Sequence, residues 1–283
     1  MKAEATALAG QLGSLSTRAR AASAAHVGSA GRRRSGTGEN FWQYRRHMSE
    51  DGAHRIDWRR SAREENLYVR ETELETARTF LFWVDPSAGF NWSSDEKLVT
   101  KGDRALVIAM ALSGALSRSG ERCGALGGGR GAVTGARAVS RVGEDLRNMP
   151  EGMPFPAAPR DIAAVIIASD FYSPLPEWRE RLMPVAAKCR DGVLFQVCDP
   201  VEAGYPFDGR VRFFRPGEAR ERLVGRAESI RDGYLERFAR RRHDLTELAA
   251  ELGWRFVSHV TSEEPRTPLG TLAYGFTASG AAA

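Results

Sequence analysis

The sequence predicts an α/β protein: a mainly parallel sheet, doubly wound by helices, with an N-terminal segment that packs on it as an extension. Three observations carry this prediction. The apolar runs Phe80–Val84, Ala163–Ala168 and Val193–Cys198 have the length and composition of strands buried on both faces. Each closes within two residues on an aspartate: Asp85, Asp170 and Asp199. Stretches of helical periodicity separate the runs, the alternation that builds right-handed parallel crossovers.

The elements follow in order. Residues 1 to about 30 are Ala-rich and loosely amphipathic, with Leu8, Leu12 and Leu15 spaced for a peripheral helix. A basic, glycine-punctuated stretch, Gly31–Gly38, leads into Phe41, Trp42 and Tyr44, and a polar segment spans Glu50–Arg63. Leu67, Val69 and Glu71 alternate as in a strand. Asp103–Ser119 is helical, with Leu106, Ala109, Met110, Ser113 and Leu116 on one side and Gly120 to end it. Arg122–Leu126 reads as a short strand and Gly135–Met149 as a short helix. Leu175–Arg190 reads as a helix that Pro184 kinks or divides. A long helix over Ala227–Leu252 turns Ile230, Tyr234, Phe238, Leu245, Leu248 and Leu252 inward and stops at Gly253. Trp254–Val257 is a last strand and Leu269–Phe276 a closing helix. The expected division is an N-terminal part, 1–77, packing on a core domain, 78–283.

Composition narrows the function. With 283 residues, 42% hydrophobic and 27% charged, the chain can bury a sizeable core and is not disordered. Its longest apolar run, Ala105–Leu116, is interrupted by Ser113 and Gly114 and falls short of the about 20 residues that cross a bilayer. The N-terminus lacks an apolar signal core, and Cys123, Cys189 and Cys198 suit neither a disulfide framework nor a zinc site. A cytoplasmic protein is expected.

The net charge is +5, yet only four of the 41 basic residues are lysine, a bias that a GC-rich genome produces without any ligand. Arg32–Arg34 with the aromatics after them could mimic a nucleic-acid surface, but Glu39, Glu50 and Asp51 dilute the charge. Arg237, Arg240, Arg241 and Arg242 read as the solvated face of a helix. Nucleic-acid binding is therefore a minority reading. No nucleophile elbow or P-loop is present, and the loop Gly127–Gly131 lacks the lysine of a phosphate cradle. No catalytic motif marks the chain as an enzyme.

The three strand-end aspartates admit two readings. In open α/β sheets ligands bind beyond the carboxyl ends of the strands, and carboxylates gathered there suit Mg²⁺ or Mn²⁺. Alternatively each aspartate caps the turn or helix that follows. The sequence Asp85-Pro-Ser87-Ala-Gly89 resembles the metal-ion-dependent adhesion site of von Willebrand factor A-like domains. The resemblance implies Asp85, Ser87 and Asp170 as metal ligands, with Thr134 as candidate for the threonine. Gly89 stands where a second serine belongs, so the site is degenerate, and Mg²⁺ would bind weakly or not at all.

A wider resemblance lies on both sides of that loop. Gly36, Gly38, Glu39, Phe41, Tyr44-Arg45, Asp51, Arg55-Ile56-Asp57-Trp58-Arg59, Ala62-Arg63 and Leu67-Tyr68-Val69-Arg70-Glu71 resemble the hallmark pattern of the domain of unknown function 58 family, as does Asp199-Pro200-x-Glu202. The resemblance implies a von Willebrand factor A-like fold, no established catalysis, and association with MoxR-type AAA+ ATPases in chaperone-like assembly of client proteins. Arg55, Asp57, Arg59, Arg63, Arg70 and Glu71 beside Trp58 suit either ion pairs that pin the N-terminal segment or a docking surface. The reading is a binding or adaptor protein. The alternatives are a metal-dependent phosphoesterase using Asp85 and Asp170, and a nucleic-acid-binding protein. Phe90, Trp92, Phe171 and Tyr172 flank the strand-end loops, as a partner rim or, for the two phenylalanines, as core.

Overall fold

The structure, a computed structural model, describes residues 1–10, 35–48, 51–53, 56–62, 66–73, 77–152, 162–214 and 221–278. The chain forms two compact units: Met1–Val27 together with Arg78–Ala282, and Gly28–Ala77. A helix over residues 2–10, α1, begins the larger unit.

The smaller unit is a ribbon with a helical turn. β1 (Ser35–Arg46) pairs antiparallel with β2 (Tyr68–Glu73), with Gln43 opposite Glu71 and Tyr44 opposite Arg70. Between them lies the four-residue helix α2 (Trp58–Ser61). Asp57 caps α2, its carboxylate accepting from the Arg60 amide at 3.0 Å and from the Tyr44 hydroxyl at 3.2 Å. The Arg60 guanidinium lies over the Tyr44 and Tyr68 rings. Arg45 forks onto Asp51 through two 2.6 Å bonds, which hold that carboxyl well below the usual range. Of the hallmark block, Asp57 is half-buried, while Arg59 is exposed and the Trp58 ring is 62% exposed. The helical turn leaves Trp58 exposed. Arg55 and Arg63 lie outside the described residues.

The larger unit is a five-stranded, wholly parallel sheet. Its elements in chain order are β3 (Thr79–Val84), α3 (Lys101–Arg118), β4 (Arg122–Ala125), α4 (Ala138–Arg147), β5 (Ile162–Ser169), α5 (Leu175–Ala186), β6 (Cys189–Cys198), α6 (Pro200–Gly204), β7 (Val211–Phe214), β8 (Glu221–Val224), α7 (Arg231–Glu251), β9 (Arg255–Val260) and α8 (Arg266–Ala278). The spatial order is β4-β3-β5-β6-β9, all parallel, and β7 and β8 form a separate antiparallel ribbon. From β3 the chain moves out to the edge at β4 and returns past β3 to β5. The order reverses between β3 and β5, where doubly wound sheets open a crevice.

Phe82, Trp83, Val165, Ile167, Leu194 and Phe195 fill the sheet's core positions, as both-face burial of the apolar runs requires. α3 is buried nearly all round, and α1 is part of the reason. The peripheral helix expected at the N-terminus instead sends Ala5, Leu8 and Ala9 into the main core; Leu12 and Leu15 lie outside the described residues. Small residues allow this approach, since a Cβ at Gly114 would stand 3.1 Å from that of Ala9. Gly120 (φ 84°) and Gly253 (φ 71°) follow the ends of α3 and α7, as their left-handed geometry requires.

Other boundaries move. β6 begins at Cys189 because that segment already pairs with the start of β5, so α5 ends sooner than expected, and Pro184 sits inside its last turn without dividing it. Ile230 belongs to a 3₁₀ turn before α7 and is 38% exposed, so it does not face inward. Among the described residues no helix is long and apolar enough to cross a membrane.

Two stability measurements follow. The Trp254 indole lies against Gly192 of β6, and a Cβ there would come within 2.2 Å of the ring. Gly192→Ala should cost at least about 1–3 kcal/mol, read as a lower urea midpoint. Asp57→Ala should cost about 1 kcal/mol, the value of a helix cap, and Asp57→Asn should restore most of it in a thermal-midpoint comparison.

Candidate functional site

The carboxyl edge of the parallel sheet gathers the polar groups that the sequence singled out. Asp85, Asp170 and Asp199 each accept the backbone amide two residues on, from Ser87 at 2.9 Å, Tyr172 at 3.1 Å and Val201 at 3.0 Å. The capping role is therefore real at all three positions. Each carboxylate also has a second partner. Asp85 Oδ2 accepts from the Ser169 hydroxyl at 2.6 Å, a bond that joins the ends of the neighbouring strands β3 and β5. Ser169 Oγ in turn accepts from the Phe171 amide at 3.0 Å. Asp199 Oδ2 accepts from the Ser94 amide at 2.9 Å, tying down the loop after β3. Glu202 Oε2 accepts from the Asp199 amide at 2.8 Å and completes a capping box.

The remaining oxygens meet one cation. Lys101, the first residue of α3, places Nζ 2.9 Å from Asp170 Oδ2 and 2.7 Å from Glu202 Oε1. Its side chain is 1% exposed, and the rings of Phe90, Trp92 and Tyr172 lie 5.5–5.9 Å from the ammonium. Burial alone would lower the lysine pKa, but the two carboxylates outweigh it and raise it, so the group is charged. Burial raises the Glu202 carboxyl, partly offset by Lys101.

These residues do not fit the divalent ion implied by the adhesion-site resemblance. Asp85, Ser87 and Asp170 do share the carboxyl edge. Thr134 does not: its neighbour Val133 bridges Cys123, which lies opposite Phe80 at the start of β3. Asp85 lies five residues farther along, roughly 16 Å away at the rise of an extended strand. Thr134 is exposed and lines a separate cleft of about 440 Å³ with Arg122, Arg137 and Arg141. At the carboxyl edge the place of a cation between Asp170 and Glu202 is taken by an ammonium. Among the described residues no cluster of three or more His, Cys, Asp or Glu could hold a metal.

The rim around this cluster is tied to the core. Phe90 and Phe171 are fully buried and belong to the core, while Trp92 is half-buried and Tyr172 is 37% exposed. Phe171 adopts a left-handed backbone (φ 58°), a conformation that costs an aromatic residue on the order of 1–3 kcal/mol. Its ring packs 4.6 Å from that of Trp178, and Arg241 of α7 donates to the carbonyls of Phe171 and Ser173. Arg241, expected from the sequence on a solvated helix face with Arg237, Arg240 and Arg242, instead turns in and clamps the turn after β5.

The sequence did not single out Lys101 or Ser169, placed Arg241 on a solvated face, and showed Glu202 only as part of a motif. One signal was available for Lys101: a lysine is rare in this arginine-rich chain. At the end of β9, His259 is 1% exposed, with Nδ1 3.1 Å from Glu263 Oε2. Burial, reinforced by Arg104, pushes its pKa down to about 4.

Fold and site together define a doubly wound α/β protein whose strand-end carboxylates are satisfied by its own chain. The family model described as "Protein of unknown function DUF58" matches residues 43–244, and the chain belongs to that family. Comparison with curated proteins and with solved structures yields no match.

The histidine gives a pH prediction. A folded pKa of about 4 lies below the unfolded value of 6.5, so the unfolded chain binds this proton more readily. The contribution is fully present above the unfolded pKa and is lost as pH falls towards the folded one. His259→Phe, which keeps a ring against Phe195, should flatten the fall in thermal midpoint across that window.

Proposed function

We propose that this chain is a non-catalytic adaptor whose carboxyl-edge rim docks a partner protein, and that the partner is a MoxR-type AAA+ ATPase acting with it in the cytoplasm on a client protein. The observation that carries the reading is the internal satisfaction of the strand-end carboxylates. Asp85, Asp170, Asp199 and Glu202 all accept from donors of this chain, and Lys101 is buried. A phosphoesterase would need one of these carboxylates available to substrate or to a metal. The nearby imidazole of His259 is also out of reach, since it is buried.

The rim offers two aromatic residues to a partner, Tyr172 and the half-buried Trp92, beside the exposed polar groups of Ser87, Asn91, Ser94, Asp95, Glu96 and Lys97. Trp92 and Tyr172 stand on loops fixed from beneath by Phe90, Phe171 and Arg241. Tryptophan and tyrosine dominate binding hot spots, and a rigid platform lowers the entropic cost of docking. The choice of an AAA+ partner rests on the family resemblance.

The test is a pull-down from native lysate with tagged wild type and a Trp92→Ala, Tyr172→Ala double variant. Wild type should recover an AAA+ ATPase identified by mass spectrometry. The double variant should lose most of that recovery while retaining a cooperative thermal transition. Equal recovery by both proteins would move the interface off this rim, and absence of the ATPase from both would overturn the partner assignment.

A further inference from the structure

We infer that Lys101 is the resident cation of the strand-end cluster: its ammonium occupies the position at which Asp170 and Glu202 would otherwise hold a divalent metal. Each of the two carboxylates has one oxygen committed to a backbone amide, Asp170 Oδ1 to Tyr172 and Glu202 Oε2 to Asp199. The other oxygen of each is turned to a single shared point, where Nζ stands at 2.9 Å and 2.7 Å. Two carboxylate oxygens completed by water are donors that suit Mg²⁺ or Mn²⁺. An ammonium is the side-chain head that most resembles such an ion, compact and spherical, where a guanidinium is a broad planar fork. The use of lysine here, in a chain with four lysines among its 41 basic residues, matches that shape requirement.

The surroundings match a permanent occupant. Lys101 is the first residue of α3, fixed by the Thr100 cap, whose hydroxyl accepts from the Asp103 amide at 3.0 Å. The lysine stem is enclosed, and the faces of Phe90, Trp92 and Tyr172 surround the ammonium at distances that stabilise a cation. A metal arriving at the same point would meet a fixed positive charge in a low-dielectric site, so the two exclude each other. With Lys101 in place, its ammonium offsets the negative charge that Asp170 and Glu202 turn towards the shared point. Without it the two facing oxygens, already oriented by the amide bonds of their partners, are left for another cation.

The experiment is calorimetric titration of Mn²⁺ into wild type, Lys101→Ala and the Lys101→Ala, Asp170→Asn double variant, with thermal midpoints in Mn²⁺ and in chelator. Wild type should show no saturable binding at millimolar metal and an unchanged midpoint. Lys101→Ala should bind Mn²⁺ at least about ten-fold more tightly than wild type, a gain of about 1.4 kcal/mol. Its midpoint should rise with the metal, and both effects should vanish in the double variant. Saturable binding by wild type that Asp170→Asn abolishes would overturn the inference, as would equal Mn²⁺ affinity in wild type and Lys101→Ala. Should Lys101→Ala fail to fold, Lys101→Asn, a shorter side chain that still donates to a carboxylate, is read the same way. An Asn variant as indifferent to Mn²⁺ as wild type overturns the inference.

Discussion

The structure of the carboxyl edge depends on one buried ammonium held between two carboxylates. Lys101 joins the start of α3, the turn after β5 and the first turn of α6, three segments that are far apart in sequence. Removing one partner of such a buried cluster strands a charge in a low-dielectric site and typically costs about 3–5 kcal/mol. That penalty makes the geometry of the edge an all-or-none property. The loops that begin at Asp170 and Asp199 cannot shift apart without exposing or orphaning the lysine.

A second constraint acts at the point where strand order reverses. A doubly wound sheet ordinarily takes its ligand beyond the strand ends at this point, and here the Ser169 hydroxyl donates to Asp85 across the ends of β5 and β3. The strained backbone of Phe171 is compensated by its burial, by the Ser169 acceptor and by the Arg241 clamp. The edge therefore has the polar inventory of a catalytic or metal site, spent on its own internal bonds. Around it the edge exposes polar loop residues together with Tyr172 and part of Trp92, the surface on which the proposed docking rests.

The smaller unit follows a more local logic. Among the described residues, Asp57 of the hallmark block caps a helix, Arg45 forks onto Asp51, and Arg60, beside the block, makes cation–π contacts. These contacts span few residues. They explain the residue types at those positions, while Trp58 stays exposed.

The sequence by itself determined the class of fold. Both-face burial demands continuous apolar strands, helices impose their own period, and the two patterns alternate, so the three central strands and the helices between them were legible, as were the stops at Gly120 and Gly253. The aspartates at the strand ends were legible too, because a strand buried on both faces must end on a polar turn. Only the tertiary structure decided what those aspartates do. Thr134 follows Asp85 in the order that a metal site would need, yet the edge pairing of Val133 with Cys123 carries it to the opposite end of the sheet. Lys101 is 69 residues from Asp170 and 101 from Glu202, and no local pattern announces that a helix's first side chain will turn inward to meet both. Capping is a short-range property and can be read from spacing. Charge compensation in a buried cluster is a long-range one, fixed only when the sheet brings its strand ends together.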